Sequence, residues 1–475
     1  MNATPRDAIV VGSGPNGLAA AITLARRGLS VTVIEGADTL GGGMRSAELT
    51  RPGFVHDICS SVYPMAVSSP LFRQLPLAEH GLEWLHPETL LAHPLDDGSA
   101  PILHQSVETT AASLGDDGDA YRNLMGPLVR RADDLFADLL GPLRIPRHPL
   151  AALRFGLPGL RSGRGMAEAY FRTAAGRALW AGVAAHAVIP LESRPGGAIA
   201  TMLALAGHAH GWPVVRGGAR RLTEALSSYF RSLGGEFVTG TWVESVGELP
   251  PAKAVLLDVT PRQVLAMAGE QLPEGYKRRL AKYRYGPGIF KMDWALSGPV
   301  PWTNPACRTA GTLHLAGTLD EVAASERAPF AGVHAHRPFV LYVQPSVADP
   351  ARAPAGQHTG WAYCHVPHGS TADMTGAIEA QIERFAPGFR DLVVGRYTMT
   401  TAAVERHNPN NVGGDIGGGV TDLWQLFTRP VARLDPYSTP NPRLFVCSSS
   451  TPPGGGVHGM CGYHAARSVL RRLGR

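Results

Sequence analysis

The sequence has little cysteine: five residues in 475, at positions 59, 307, 364, 447 and 461, odd in number and never arranged as C-x-x-C. A disulfide framework is therefore not expected, and a reducing, cytoplasmic setting is. Nowhere do about 18 apolar residues run uninterrupted, so no membrane-crossing helix is expected. The opening MNATPRDAIVV lacks the charged-then-apolar build of a signal peptide. Neither H-E-x-x-H nor G-x-S-x-G occurs, which removes two common hydrolase signatures. His208/His210 and His334/His336 are paired, but no third ligand cluster accompanies them, so no metal site is read there. A formal net charge of +5 is mild for this length and gives no argument for nucleic acid.

What is present is the composition of a packed globular chain, 44% hydrophobic and 17% charged, with 56 Gly and 39 Pro spread between elements. Single cores stop growing at roughly 250–300 residues, so two large domains are expected.

Asp7 to Val11 (DAIVV) is a short apolar run of the kind that forms a buried parallel strand, and it leads directly into Gly12-Ser13-Gly14-Pro15-Asn16-Gly17. Leu18, Ile22 and Ala25 then recur at helical spacing, and Gly28 stands where a helix C-cap glycine belongs. A second β run, Ser30 to Ile34, ends on Glu35. This is G-x-G-x-x-G in the context it requires. Gly12 permits the tight turn, Gly14 lets the backbone approach a pyrophosphate, and Gly17 lets helix and strand pack closely. The helix N-terminus, opened by Pro15 and Asn16, faces the phosphates. Glu35 is placed to accept from a ribose diol, and its charge would repel a 2′-phosphate, which favours FAD or NAD over NADP.

Leu40-Gly41-Gly42-Gly43-Met44-Arg45-Ser46 follows. The glycines would let the chain lie against the cofactor, and Arg45 would offset diphosphate charge; a plain turn with a surface arginine is the alternative. The segment resembles the second fingerprint of the flavoproteins that include amine oxidases and phytoene desaturases, with Gly43 and Met44 standing between the doublet and the arginine. Later segments extend the resemblance. Val214 to Ala219, an amphipathic helix to Leu233, Gly234-Gly235 and two β runs (Phe237–Val246 and Ala254–Val259) have the order that marks re-entry into the FAD domain in phytoene desaturase-like flavoproteins. There Val243 would lie near the adenine, unless it is simply a packed strand valine. Arg443 to Cys447 reads as a strand, Ser448 to Gly456 as a tight loop, and Val457, Met460, Ala465, Val469 and Leu473 as a closing helix. The stretch STPPGGGVHGMCGYHAA resembles the C-terminal motif of actinobacterial phytoene desaturase-like, NAD(P)/FAD-dependent oxidoreductases. The resemblance implies that this helix points at the flavin, with Ser449, Gly455, Gly456, Val457 and His458 beside it, and that FAD is the cofactor.

The fold implied is α/β: a discontinuous Rossmann-type, glutathione-reductase-like FAD-binding domain (1–70, 210–265 and 430–475) with an α+β substrate domain (71–209 and 266–429). Residues 70–210 read as helical and Pro-punctuated. Within them Arg144, Arg147, Arg154, Arg161 and Arg164 stand among apolar residues without acids, which fits either a solvated face or one that rests on a membrane. Candidate catalytic residues are His56 and Asp57, in a PGFVHDICS stretch that the relatives share, Asp415 in the glycine-rich loop NPNNVGGDIGGG, and His458. Their alternatives are loop packing, an Asx turn and a helix cap. No second G-x-G-x-x-G unit and no redox cysteine pair occur, so neither a separate nicotinamide domain nor thiol relay chemistry is expected. The expected reaction is desaturation or dehydrogenation of an apolar small molecule, with reoxidation by oxygen, a quinone or another diffusible acceptor. A redox-neutral flavin-dependent isomerase and a non-catalytic flavin-bearing protein remain open.

Overall fold

A computed structural model describes residues 6–475. Arg6–Val11, apolar and buried from Ala8 onward, is the central strand of a five-stranded sheet ordered Leu444–Val446, Ala252–Leu257, Arg6–Val11, Val31–Ile34, Glu236–Val238. Every pairing in it is parallel. Both faces of such a sheet are covered, which is why these strands are nearly continuous apolar runs with no alternation. The Pro15–Ala25 helix is buried at ten of its eleven positions and packs against the Arg220–Ser232 and Met460–Arg472 helices. Three stretches far apart in sequence thus build one layer.

A second sheet has seven strands, in the order Val393–Met399, Gly288–Leu296, His358–Val366, Val340–Val343, Ala310–Leu315, Thr89–Ala92, Ile102–Leu103. All neighbours are antiparallel except the Ala310–Leu315/Thr89–Ala92 pair. Gly288–Leu296 is buried at all nine positions. It tolerates Lys291 and Asp293 because these alternate residues share a face and pair with each other.

Several sequence expectations are corrected. Residues 70–210 are not purely helical: Thr89–Ala92 and Ile102–Leu103 join the second sheet. The run expected from Phe237 to Val246 is a strand only at Glu236–Val238, since the chain turns at Gly240 (φ +64°). The last helix begins at Met460, so Val457 and His458 belong to the preceding loop, and Gly459 at φ +68° makes the entry. Gly28, by contrast, does close the first helix as expected: at φ +75° its N–H donates to the Ala25 carbonyl (2.9 Å) and the Leu29 N–H donates to the Leu24 carbonyl (3.4 Å).

Candidate cofactor and substrate site

The C-terminal ends of the central parallel strands open onto a cavity of about 1030 Å³ that runs into the helices of the second layer. Its size is at the upper end of the range of about 300–1,000 Å³ usual for small-molecule sites.

At the nucleotide end, Gly12 turns at φ +101°, and an added Cβ there would meet Asp258 at 3.1 Å. A Cβ on Gly17 would meet the Gly12 carbonyl oxygen at 2.1 Å, so only glycine allows the helix to start there. Glu35 Oε2 accepts from the Ser13 backbone N–H (2.9 Å) and hydroxyl (2.5 Å), and Oε1 accepts from the Ala37 N–H (3.0 Å). This fixes the carboxylate at the cavity wall. Arg45 Nη2 lies 3.5 Å from Glu35 and donates to the Thr39 carbonyl, so the guanidinium also borders the cavity. Gly42 (φ +55°) folds onto the first glycine loop, where an added Cβ would lie 3.1 Å from the Gly14 Cα. Gly43 borders the cavity too. Gly41 and Met44 stand behind the wall: the Gly41 N–H donates to Ser13 Oγ, and the Met44 carbonyl accepts from Thr223 Oγ1.

The C-terminal loop reaches the same cavity through Ser449, Gly455, Gly456, Val457 and His458, and Val243 borders it too. The glycine-rich loop at 408–419 packs onto that loop, and a Cβ on Gly455 would be 2.6 Å from the Gly417 carbonyl. His458 Nδ1 accepts from the Met460 N–H at 3.0 Å, so this imidazole caps the last helix. Burial pushes its pKa down to about 4, and it is neutral at ordinary pH.

Three catalytic candidates take other roles. His56 and Asp57 are 2% and 1% exposed and lie behind the cavity wall. Asp57 accepts from Arg352 (3.1 Å), Ser46, Ser61 and the Ala219 N–H, and is the hub tying the two layers together. Burial, then the Lys291 charge, push the His56 pKa down to about 3. The correction has a simple cause: a polar pair in a loop-like sequence is buried here because Arg352, 295 residues on, supplies its counter-charge. Asp415 borders the cavity, but its oxygens accept the N–H groups of Gly286 (2.7 Å), Gly417 (2.7 Å) and Gly419 (2.9 Å), so it organises its own loop.

Reasoning from sequence missed Asp258. This buried residue follows the Ala252–Leu257 strand and accepts the Gly17 N–H at 2.8 Å, at the N-terminus of the first helix. Burial raises its pKa to about 7, against the pull of the helix amides. A signal was there: it stands at the end of a β run, and strand ends face the crevice in such sheets. Tyr63, His186, Trp212, Trp361 and Tyr363 also line the cavity, and nothing local in the sequence announces them. His208 and His210 bond Tyr121 and Ser68 respectively.

The residues present fit FAD. The glycine cradle leaves space that a Cβ would fill, helix amides face a diphosphate position, an acid stands at the second strand end, and the cavity continues far beyond a nucleotide.

Residues 10–75 match the NAD(P)-binding Rossmann-like domain family. The chain is similar to pyridine nucleotide-disulfide oxidoreductase domain-containing protein 2 of Rattus norvegicus, 27% identical over 556 aligned positions spanning 98% of this chain and 94% of the relative. It is 30% identical over 108 positions to one of the subunits of limonene dehydrogenase from Castellaniella defragrans, covering 23% of this chain and 19% of that one. Among solved structures, an oxidoreductase from Methanosarcina mazei superposes with a TM-score of 0.66 at 16% identity, over 98% of this chain and 99% of the other. Putrescine oxidase bound to putrescine gives 0.61 at 19% identity, over 99% and 100%. These likenesses do not single out the phytoene desaturase-like branch. The chain joins a Rossmann-like dinucleotide-binding domain to a second sheet in the fold of the flavin-dependent, amine-oxidase-like oxidoreductases.

Proposed function

We propose that the protein is an FAD-dependent dehydrogenase or desaturase acting on an apolar organic molecule. The observation that carries this reading is the absence, among the described residues, of a free carboxylate along the far part of the cavity. Asp138 and Asp415 are the acids there, and both are engaged: Asp138 accepts from Arg144 and from the N–H groups of Arg147 and His148, and Asp415 holds its three amides. The oxygens of both are already turned to these partners, which disfavours a protonated amine as substrate. Phe155, Leu160, Ile199, Met202, Leu203 and Trp212 offer an apolar wall instead. The relative named for limonene, itself a hydrocarbon, is in keeping with this.

When bound, FAD would supply the hydride acceptor and pass electrons to oxygen, a quinone or another diffusible acceptor. The chain's own part is to bind, orient and exclude water. Glu35 and the glycine loops hold the nucleotide end, and the His458 cap fixes the loop entering the last helix. Tyr63, Trp361 and Tyr363 form an aromatic wall, and Trp361 Nε1 donates to the Asp57 carbonyl, which fixes its ring. His186 also lines the cavity; its Nε2 lies 3.0 Å from His314 Nε2, and burial pushes its pKa down to about 3. The strand distribution supports assigning 1–70, 210–265 and 430–475 to the cofactor and 71–209 and 266–429 to the substrate.

The test is anaerobic bleaching of flavin absorbance by a panel of terpenes, polyenes and amines, with mass spectrometry of products. Bleaching by hydrocarbons with loss of two hydrogens is expected. Bleaching by amines alone, or turnover of product without any acceptor, would overturn the reading in favour of amine oxidation or isomerisation.

A further inference from the structure

The sequence leaves open whether the arginine-rich stretch near residue 150 is a solvated face or a membrane-resting one, and the tertiary structure adds a second element to it. Among the described residues, nine of the thirteen exposed large apolar side chains fall in residues 143–160 and 423–427. The Pro149–Gly159 helix turns Ala151 and Phe155 inward and leaves Leu150, Leu153 and Leu157 exposed at 76%, 55% and 63%. The helix thus buries the apolar stripe usual for a surface helix, but its outer face is apolar as well. The Leu423–Thr428 helix presents Trp424 at 75% and Phe427 at 50% exposure.

Both segments are anchored at the start of the Gly196–His210 helix. The Gly197 N–H donates to the Arg161 carbonyl (3.1 Å), and the Leu423 N–H donates to the Arg194 carbonyl (3.2 Å). Each also lines the cavity, through Leu143 and Leu160 on one side and Leu423 and Phe427 on the other. The apolar patch is therefore the rim of the cavity mouth.

Its charge selects the occupant. Arg147, Arg154 and Arg161 are exposed and, among the described residues, have no carboxylate partner; on the helix itself Leu150, Arg154 and Leu157 recur at three- and four-residue intervals along one face, with Arg147 and Arg161 just beyond its two ends. The nearby acids are already engaged, Asp422 by Arg284 and Asp138 by Arg144. A second copy of the chain seated by twofold symmetry would bring these arginines toward their own counterparts. An anionic lipid surface instead accepts both components, with leucine and tryptophan in the headgroup–acyl boundary and arginine against phosphates. No helix among the described residues is long and apolar enough to cross a membrane, so such contact is peripheral.

We propose that the 143–160 and 423–427 rim docks on an anionic phospholipid bilayer, placing the cavity mouth against the acyl region so that an apolar molecule enters from lipid without crossing water. Docking requires no turnover, so it stands or falls separately from the redox reading.

The test is co-sedimentation of the full flavin-loaded chain with phosphatidylglycerol/phosphatidylcholine vesicles and with phosphatidylcholine alone, at low and high salt, with light scattering for mass. Expected are binding to anionic vesicles, weakening with salt, and a monomeric mass. Leu153→Asp/Trp424→Asp and Arg147→Glu/Arg154→Glu should each lower vesicle partitioning about tenfold or more, with flavin absorbance and circular dichroism unchanged. Wild-type protein that stays in the supernatant overturns the proposal, as do folded variants that bind like wild type. A wild-type dimer that Leu153→Asp/Trp424→Asp dissociates overturns it in favour of a second copy.

Discussion

Gly462 in the last helix lies against Asn16 in the first so closely that a Cβ on Gly462 would sit 1.8 Å from the Asn16 carbonyl oxygen. The two terminal glycine-bearing segments, more than 440 residues apart, are thus in direct backbone contact. Gly462→Ala should push the helices apart and destabilise the protein by about 1–3 kcal/mol or more. Denaturant unfolding measures that loss, and flavin release at a lower temperature should accompany it.

Asp258 gives the protein a defined pH response. Its folded pKa, about 7, lies above the ordinary 3.8, so the folded state holds a proton that the unfolded chain releases. The associated stability is complete below about pH 4 and is lost as pH rises through about 7. A diphosphate at the adjacent helix N-terminus adds negative charge and should strengthen this proton uptake. FAD affinity, measured by flavin fluorescence, is therefore expected to weaken as pH rises through 7 and above. In Asp258→Asn that slope should flatten; an unchanged slope would assign it elsewhere.

Glu35 is held by Ser13 and Ala37 at the end of its strand, so its position does not depend on a ligand. Glu35→Ala should lower FAD affinity about tenfold or more by losing a charged hydrogen bond to the ribose, worth about 1.5–3 kcal/mol. The apoprotein's fold should survive. Equilibrium titration with FAD is the measurement.

Asp57 should behave as a structural residue. It and Arg352 are fully buried partners, with Asp349 as the second carboxylate on the guanidinium at 3.0 Å. Asp57→Ala strands part of a buried charge and should cost about 3–5 kcal/mol. Asp57→Asn, which keeps the shape and most hydrogen bonds, should cost less. If either variant is fully stable yet loses turnover selectively, a role in the chemistry would return.

His458 and Asp57 show how far local sequence carries. Both occur in motifs that invite a catalytic reading, yet one caps a helix and the other neutralises an arginine. The N-terminal fingerprint, by contrast, puts Gly12, Gly14 and Glu35 at one cavity, because a strand–turn–helix unit is closed by contacts within about thirty residues. Asp258 was within reach, at the end of a β run that the apolar pattern already marks.

Local order therefore determined the Rossmann-type unit: apolar runs, glycines that alone permit the turn and close approach, and an acid at a fixed distance from them. Tertiary structure decided everything that needs two distant segments at once. The Thr89–Ala92 strand pairs with Ala310–Leu315, far along the chain, Arg352 buries Asp57, and the Leu423–Thr428 helix completes an apolar rim begun at Leu143. The physical reason is that periodicity reports which face of an element is apolar, whereas which partner covers that face, or leaves it bare, is settled only when the chain closes on itself.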